Sequence, residues 1–594
     1  MKKSPFCFRF FGTRSVQKVS TSGSKQILNS ECLQHVFLFL TDDNRALHSC
    51  LFINKFWSRN VIPVLWKCPF RRWNLSSNND YLQSGASSQN YLPSNRSSSQ
   101  SHFSQNRSSS QSHFSQNQTV QDDNSPSRSI TKLLLVYLLC LEKNERKILK
   151  NALKTAKVKF PKPKFRSTYY HYATYLQDLS LRNLEHAVII LLRSLSKRNN
   201  KNKGNNMKFQ IEFLTTTLFK LFLRQATNLH TLTIDKFLEF TDIPGTSVFS
   251  IPACLSRVEK FELIFHKTPN FLLLLQTLPS ICTSIRNLSI TFPPAADIGN
   301  EATDLESDIM IGDSLSNIIK SQMNLREFHL KGGNSVIEKL FSSLQCQFKS
   351  LRTLEFNSVN LSGASLRYLS ACQTLKSLTL WNCQGFSMNE AKSLVSSKYR
   401  LRELRLWSSR KSPGVTATII KHVGRTVKKL WVDVLSLETI HAISNYCPIV
   451  TDVRILDYLP KQHPFLVRLL KETRIERLTI SREMNVGPGV INLIGQDLPE
   501  ELKYLKLDCG VDVKQLEDLL YGCKCELKIL IVKYFKVELA HLKVISEFAK
   551  SQKSLRVIGV GGKQEYSEKE LLELKMMREN YGIFIIPLSE LDFW

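Results

Sequence analysis

The sequence predicts an α/β repeat solenoid with a small three-helix unit ahead of it. Two observations carry that prediction. A six-residue spacing of apolar residues recurs at a near-constant period from about residue 170 to the end, and residues 27–70 carry three consecutive helical patterns. The composition agrees, because 42% hydrophobic residues in 594 supply enough apolar surface for a large core. The longest apolar runs, 133–141 and 271–278, fall far short of the ~20 residues that cross a bilayer, so no membrane partner is expected.

Residues 1–26 are a basic tail. Residues 2–25 carry a charge of +6 with no acid before Glu31. That composition suits a disordered tail and also resembles a mitochondrial transit peptide, so the expected localisation is cytoplasm and/or nucleus, with mitochondrial targeting as the alternative.

The compact helical unit spans 27–70. Ser30 is the expected cap of its first helix, whose apolar positions Cys32, Leu33, Val36, Phe37 and Leu40 share one face. Thr41–Asn44 reads as a turn and second cap, and Leu47, Cys50 and Leu51 form the next apolar pair of turns. A third helix runs from Lys55 to Val61, and Pro63 is expected to stop it. So small a unit is marginal alone and calls for a partner.

Residues 71–129 contain 19 Ser, 8 Asn and 8 Gln, and the 11-mer NRSSSQSHFSQ stands unchanged at 95–105 and 106–116. This low-complexity linker lacks the apolar content to fold. Residues 130–170 form a basic helical segment, with a net +8 between Glu142 and Arg166. A further basic loop lies at 197–208.

The repeats fill 171–594. Each copy places apolar residues at a start, at +3 and at +5, the LxxLxL signature of a leucine-rich repeat. Copies begin at 176, 229, 258, 285, 325, 351, 375, 401, 427, 450, 475, 502, 527 and 555, and from 325 onward they lie 23–28 residues apart. Each unit should supply one short parallel strand and usually a helix, such as one across Ala364–Ala371. The polar ladder residue of such repeats fits well only at Cys383, while Gly333, Val359 and Ser409 occupy its place elsewhere, so the expected horseshoe is irregular. The long gap after the copy at 285 is expected to hold a loop insertion with Pro293-Pro294 and an acidic stretch.

Strand alternation sends positions +2, +4 and +6 to the face opposite the helices. Those positions place Trp381, Trp407 and Trp431 in consecutive repeats, with His329, Glu355, Glu403, Arg405, Lys429 and Asp433 around them. Tryptophan and arginine dominate interface hot spots. The expected site for a protein substrate is therefore Trp381, Trp407, Trp431, Arg405, Glu355 and His329.

Residues 27–70 resemble an F-box. The matching elements are Leu28-Asn29-Ser30-Glu31, Cys32-Leu33, Val36-Phe37, Asn54–Trp57 and Leu65-Trp66, with Asn29 where that family usually has Pro. F-box followed by repeats is similar to the F-box/leucine-rich-repeat group, and the polar insert resembles its fungal members. The resemblance implies the substrate-recognition subunit of a Skp-cullin-F-box (SCF-type) ubiquitin ligase. Such a subunit holds the Skp adaptor, and through it a cullin, by the F-box and a target by the repeats. It is a non-catalytic subunit without cofactor. By motif position the adaptor-binding residues are Leu28, Cys32, Leu33, Val36, Phe37, Leu47, Leu51 and Trp57.

Other readings fit the residues less well. Gly487-Pro488-Gly489 and Gly561-Gly562 lack the strand–loop–helix setting of a phosphate loop, and no GxSxG or HExxH occurs, so an enzyme is not expected. Fourteen cysteines form no CxxC pair, which argues for reduced core thiols and no metal site. The +30 net charge suggests nucleic acid, and the basic run is followed by Tyr169, Tyr170 and Tyr172. Yet 19 of the 30 charges fall in the tail, the 142–166 run and the 197–208 patch, outside the repeating strands. Weak nonspecific nucleic-acid binding is the second alternative, after an interaction scaffold that never reaches the cullin.

Overall fold

The computed structural model describes residues 29–70, 126–155, 170–195, 204–235, 255–292, 305–481 and 495–586. Short gaps fall at 42, 266–267, 334–335, 363–365, 386, 396–398, 408–412, 434, 457, 459, 509–510, 533–537 and 561–565. The basic tail, Leu28, the tandem 11-mers, Tyr169, the loop residues 196–203 and the Pro293-Pro294 pair lie outside the described residues. The chain divides into two compact units, Met1–Lys67 and Cys68–Trp594.

In the first unit, α1 (Ser30–Phe39), α2 (Asn44–Cys50) and α3 (Lys55–Leu65) each start at a side-chain cap. The Cys32 amide donates to Asn29 Oδ1 (2.8 Å), the Ala46 amide to Asp43 Oδ1 (2.9 Å) and the Trp57 amide to Asn54 Oδ1 (2.9 Å). Asn29 rather than Ser30 is thus the first cap. Asn29 satisfies an orphan N–H, and Ser30 is freed to bond the buried Asn60. Pro63 does not stop α3, which continues to Leu65. A proline removes a single ladder bond, and here Val64 and Leu65 pack on the core beyond it. Leu33, Phe37, Leu47, Cys50 and Val61 form that core, with Trp57 edge-on to Phe37 at 5.6 Å.

The second unit is built on one fifteen-stranded parallel sheet whose strands follow chain order without a crossover. They are β1 (Asp178–Ser180), β2 (Thr231–Ile234), β3 (Lys260–Ile264), β4 (Asn287–Thr291) and β5 (Glu327–Lys331). Next come β6 (Thr353–Asn357), β7 (Ser377–Trp381), β8 (Glu403–Trp407), β9 (Lys429–Val432) and β10 (Asp452–Ile455). The last are β11 (Arg477–Ser481), β12 (Tyr504–Asp508), β13 (Ile529–Val532), β14 (Val557–Val560) and β15 (Phe584–Ile586). Fourteen of them begin two residues after a predicted repeat start. Each pairs in register with the next, Leu354 beside Leu378 beside Leu404, for example. This is an α/β repeat solenoid. β15 escapes the pattern because the start position is Gly582, the left-handed cap (φ 65°) of the helix Glu568–Tyr581.

The apolar +3 and +5 residues, such as Leu354 and Phe356, are fully buried against the helix layer, where Phe341 meets Phe356 at 4.9 Å. Buried Cys282, Cys372, Cys383 and Cys447 belong to the same layer, and burial pushes their thiols up to about 12, 11, 11 and 12. Two buried glutamines join repeats across that layer. Gln322 Oε1 accepts from the Ile285 amide (2.9 Å), while its Nε2 donates to Cys282 O (2.7 Å). Gln347 Oε1 accepts from the Leu325 amide (3.3 Å), and its Nε2 donates to Ile319 O (2.9 Å) and Gln322 O (2.8 Å).

Several expectations need correction. Part of the acidic stretch expected in a loop insertion after β4 lies in a 17-residue helix, Leu305–Ser321, while 293–304 fall outside the described residues. A 3₁₀ helix, Leu366–Ala371, replaces the α-helix expected across Ala364–Ala371. The expected linker ends in a helix, α4 (Pro126–Cys140), and the basic segment continues as α5 (Lys143–Thr155). The basic loop runs into α6 (Gly204–Gln225). Tyr137 of α4 lies edge-on to Phe222 of α6 at 4.7 Å, and Arg224 of α6 donates to Glu145 of α5 (2.9 and 3.0 Å). These helices therefore pack together at the N-terminal end of the sheet as part of the second unit.

Candidate functional site

Two surfaces carry side chains that the folding of their own unit does not use. The first belongs to the three helices. Of the expected adaptor-binding residues, Leu33, Phe37 and Leu47 are fully buried, and Leu51 and Trp57 are half-buried against them. The correction is physical: with only three short helices, the inner stripe of each is consumed by the unit's own core. Cys32 is exposed and Val36 is 44% exposed. With Phe39, 90% exposed, they occupy positions i, i+4 and i+7, one stripe of α1. Phe52 and Ile53 in the turn after α2, and Phe56 on α3, are exposed as well. The sequence reading missed Phe39, Phe52, Ile53 and Phe56. Their signal was apolar residues in excess of what one helical stripe needs.

The second surface is the face of the sheet opposite the helices. Along β2–β11 its positions are mostly half-open and alternate with buried ones. On β12–β15 Tyr504, Ile531 and Ile586 of the same rows form one buried cluster, beside the buried Lys506. Asp433, expected on the open face, is buried.

The six expected substrate residues fall into two groups. His329 and Glu355 are neighbours on β5 and β6, with His329 Nδ1 3.1 Å from Glu355 Oε2. That hydrogen bond holds the Glu355 carboxyl below its usual range against partial burial, and the charge of Arg405 adds to the effect. Both line a polar cavity of about 320 Å³ with Lys260, Glu262, Asn287 and Lys331.

The other four stand on β7–β9. Trp381 and Trp407 are register partners and stack at 4.3 Å with 29° between their planes. Trp431 stands in the neighbouring row, apart from that pair. Arg405 on β8 and Arg454 on β10 flank its ring from the two adjoining strands, at 3.9 and 4.2 Å from the centroid. Arg405 is fixed by its own strand, donating to Glu403 Oε1 from Nε (3.0 Å) and Nη2 (2.7 Å). One strand further, Arg477 lies 3.9 Å over Tyr504, with its Nε 3.4 Å from Asp452 Oδ2. Cation–π contacts of this kind are worth about 0.5–2 kcal/mol each, so the rings and guanidiniums hold one another in place.

Arg454, Arg477 and Tyr504 were missed, although the same +2 and +4 rule applied to the next three repeats selects them. Among the described residues no group of three His, Cys, Asp or Glu could hold a metal, and no helix is long and apolar enough to cross a membrane.

No family model matches the sequence, and no curated protein does. Among solved structures, the crystal structure of the Rad7 and Elc1 complex in yeast aligns at 16% identity. The alignment covers 68% of this chain and 92% of that one with a TM-score of 0.36, a likeness too low to carry function.

Proposed function

We propose that the chain is the substrate-recognition subunit of a Skp-cullin-F-box ubiquitin ligase. In this reading the three-helix unit is an F-box that holds the adaptor, the open face of the sheet holds a target protein, and the chain itself performs no catalysis. One observation supports this reading above the rest. The small unit completes its own core and still leaves Val36, Phe39, Phe52, Ile53 and Phe56 in water. A domain of that size gains nothing from such exposure unless a partner covers it.

The magnitudes are compatible. Burying a large apolar side chain contributes about 1.5–3 kcal/mol. Four of them supply roughly 6–12 kcal/mol, comparable to the cost of association at about 4–15 kcal/mol. The face should therefore bind only when most of it is covered at once, and one buried charge should break it.

The test is co-purification of the full chain with a Skp-type adaptor and its cullin. Val36→Asp with Phe39→Asp should abolish adaptor recovery while leaving the helical circular-dichroism signal unchanged. Equal recovery with wild type and variant, or none with either, would refute the assignment. Recovery of adaptor without cullin would favour a scaffold. On the sheet, Trp407→Ala should weaken the captured target by about 2 kcal/mol or more.

A further inference from the structure

Resting on the reading that the open face receives a target protein, we infer that strands β7–β10 form a carboxylate clamp, which takes an extended target segment bearing an acidic residue three to four positions from an aromatic one. Arg454 would fork onto the carboxylate, and the stacked Trp381–Trp407 pair would form the shelf for the ring.

The electrostatics single out Arg454. Across β8–β11 the open face carries Arg405, Lys429, Arg454 and Arg477 against Glu403 and Asp452. Arg405 is matched by Glu403, and Arg477 by Asp452. Arg454 has no carboxylate within ion-pair distance among the described residues, and its Nε is buried without a hydrogen-bond partner. Burial pushes its guanidinium below the usual range, with Asp452 and Tyr504 pulling the other way. Holding a second guanidinium against the Trp431 ring that Arg405 already covers brings two like charges together. A planar, rigid fork in that position is preorganised for a carboxylate, and such charge-assisted pairs are the strong ones. Its neighbours argue against a polyanion: two carboxylates among four cations would repel an unbroken row of phosphates, whereas one acid beside apolar residues meets complementary charge.

Spacing follows from the sheet. Arg454 lies two strands from Trp407 and one alternate position along the strand. Strands ~4.8 Å apart and a rise of ~3.3 Å per residue put the two anchors roughly 12 Å apart, three to four residues of extended chain.

The probe is an array of ten-residue Ser/Gly peptides containing one Phe and one Glu separated by one to six positions. Companion arrays carry Gln, Lys or phosphoserine in place of Glu. All are incubated with the full chain. Retention should peak for Glu at a separation of three or four, and Arg454→Gln should reduce affinity for the best peptide about tenfold or more. Arg454→Lys, which keeps charge without the fork, should recover only part of the loss. Equal retention of Glu and Gln peptides, or of none, would overturn the clamp. So would retention of phosphoserine versions alone, displacement by an equimolar single-stranded oligonucleotide, or unchanged affinity in Arg454→Gln. Adaptor recovery, measured on the same preparations, separates the two failures. Lost peptide selectivity with adaptor retained rejects only the clamp, whereas peptide selectivity without adaptor rejects only the receptor reading.

Discussion

The two units solve the problem of surplus apolar and aromatic side chains in opposite ways. In the three-helix unit Val36, Phe39 and Ile53 stand in water, and the exposed Phe52 meets only the edge of the His48 ring at 5.2 Å. On the sheet, Trp381, Trp407 and Trp431 are stacked or flanked by guanidiniums and stay half-buried. The difference lies in neighbours. A repeat always has another repeat at about 4.8 Å to receive an exposed ring, whereas a three-helix unit has used its few neighbours on its core. An exposed face with no internal partner marks a surface built for constant occupation, and a self-supporting one can wait for an occasional ligand.

The sharpest way to break this comparison is one substitution made twice. Phe37→Ala and Phe356→Ala each remove a fully buried ring, a loss of about 3–5 kcal/mol. In the small unit that should exceed the available stability and abolish its folding. In the solenoid it should weaken neighbouring repeats and leave the rest folded, since stability there sums over nearest neighbours. Hydrogen exchange would show complete loss of protection across α1–α3 in the first variant. In the second it should show only local loss around β5–β7, and a uniform loss over all strands would contradict the distributed picture.

A smaller effect sharpens it. Gln347→Leu keeps the volume but leaves the Leu325 amide and the Gln322 carbonyl without the glutamine, a cost of about 1–3 kcal/mol. The unfolding free energy should fall by that amount, read as a lower denaturation midpoint, and an unchanged midpoint would mean that the glutamine joints between repeats are dispensable.

Smaller again is a pH effect. Because His329 holds the Glu355 carboxyl below its ordinary 4.5, the pair's contribution is fully present above that value and is lost as pH falls through the depressed one. Wild type should lose slightly more stability than Glu355→Gln between pH 6 and about pH 3. Parallel pH curves would show that the pair contributes nothing.

The smallest change is expected where exposure is greatest. Phe39→Ser should alter the stability of the unit by no more than about 0.5 kcal/mol while weakening its partner. A large stability loss would place Phe39 in the fold rather than on a docking face.

Much of this was legible in the residues. The repeat spacing located fourteen of the fifteen strands and the face on which the tryptophans stand, because side-chain direction in a strand depends only on parity. Three helices and the cap of the second were equally local matters. The sequence by itself thus determined the order of elements and which side of the sheet each residue occupies. The tertiary structure decided which apolar residues of α1 are spent on the core and which remain outside, because that depends on how two other helices pack. It also decided that Trp431 lies between Arg405 and Arg454 rather than on the other rings, that Asp433 is buried, and that Gln322 and Gln347 bind main-chain groups of other repeats. Those contacts join residues 22–40 positions apart, and a periodic pattern fixes direction and spacing but not the rotamer that chooses one neighbour over another.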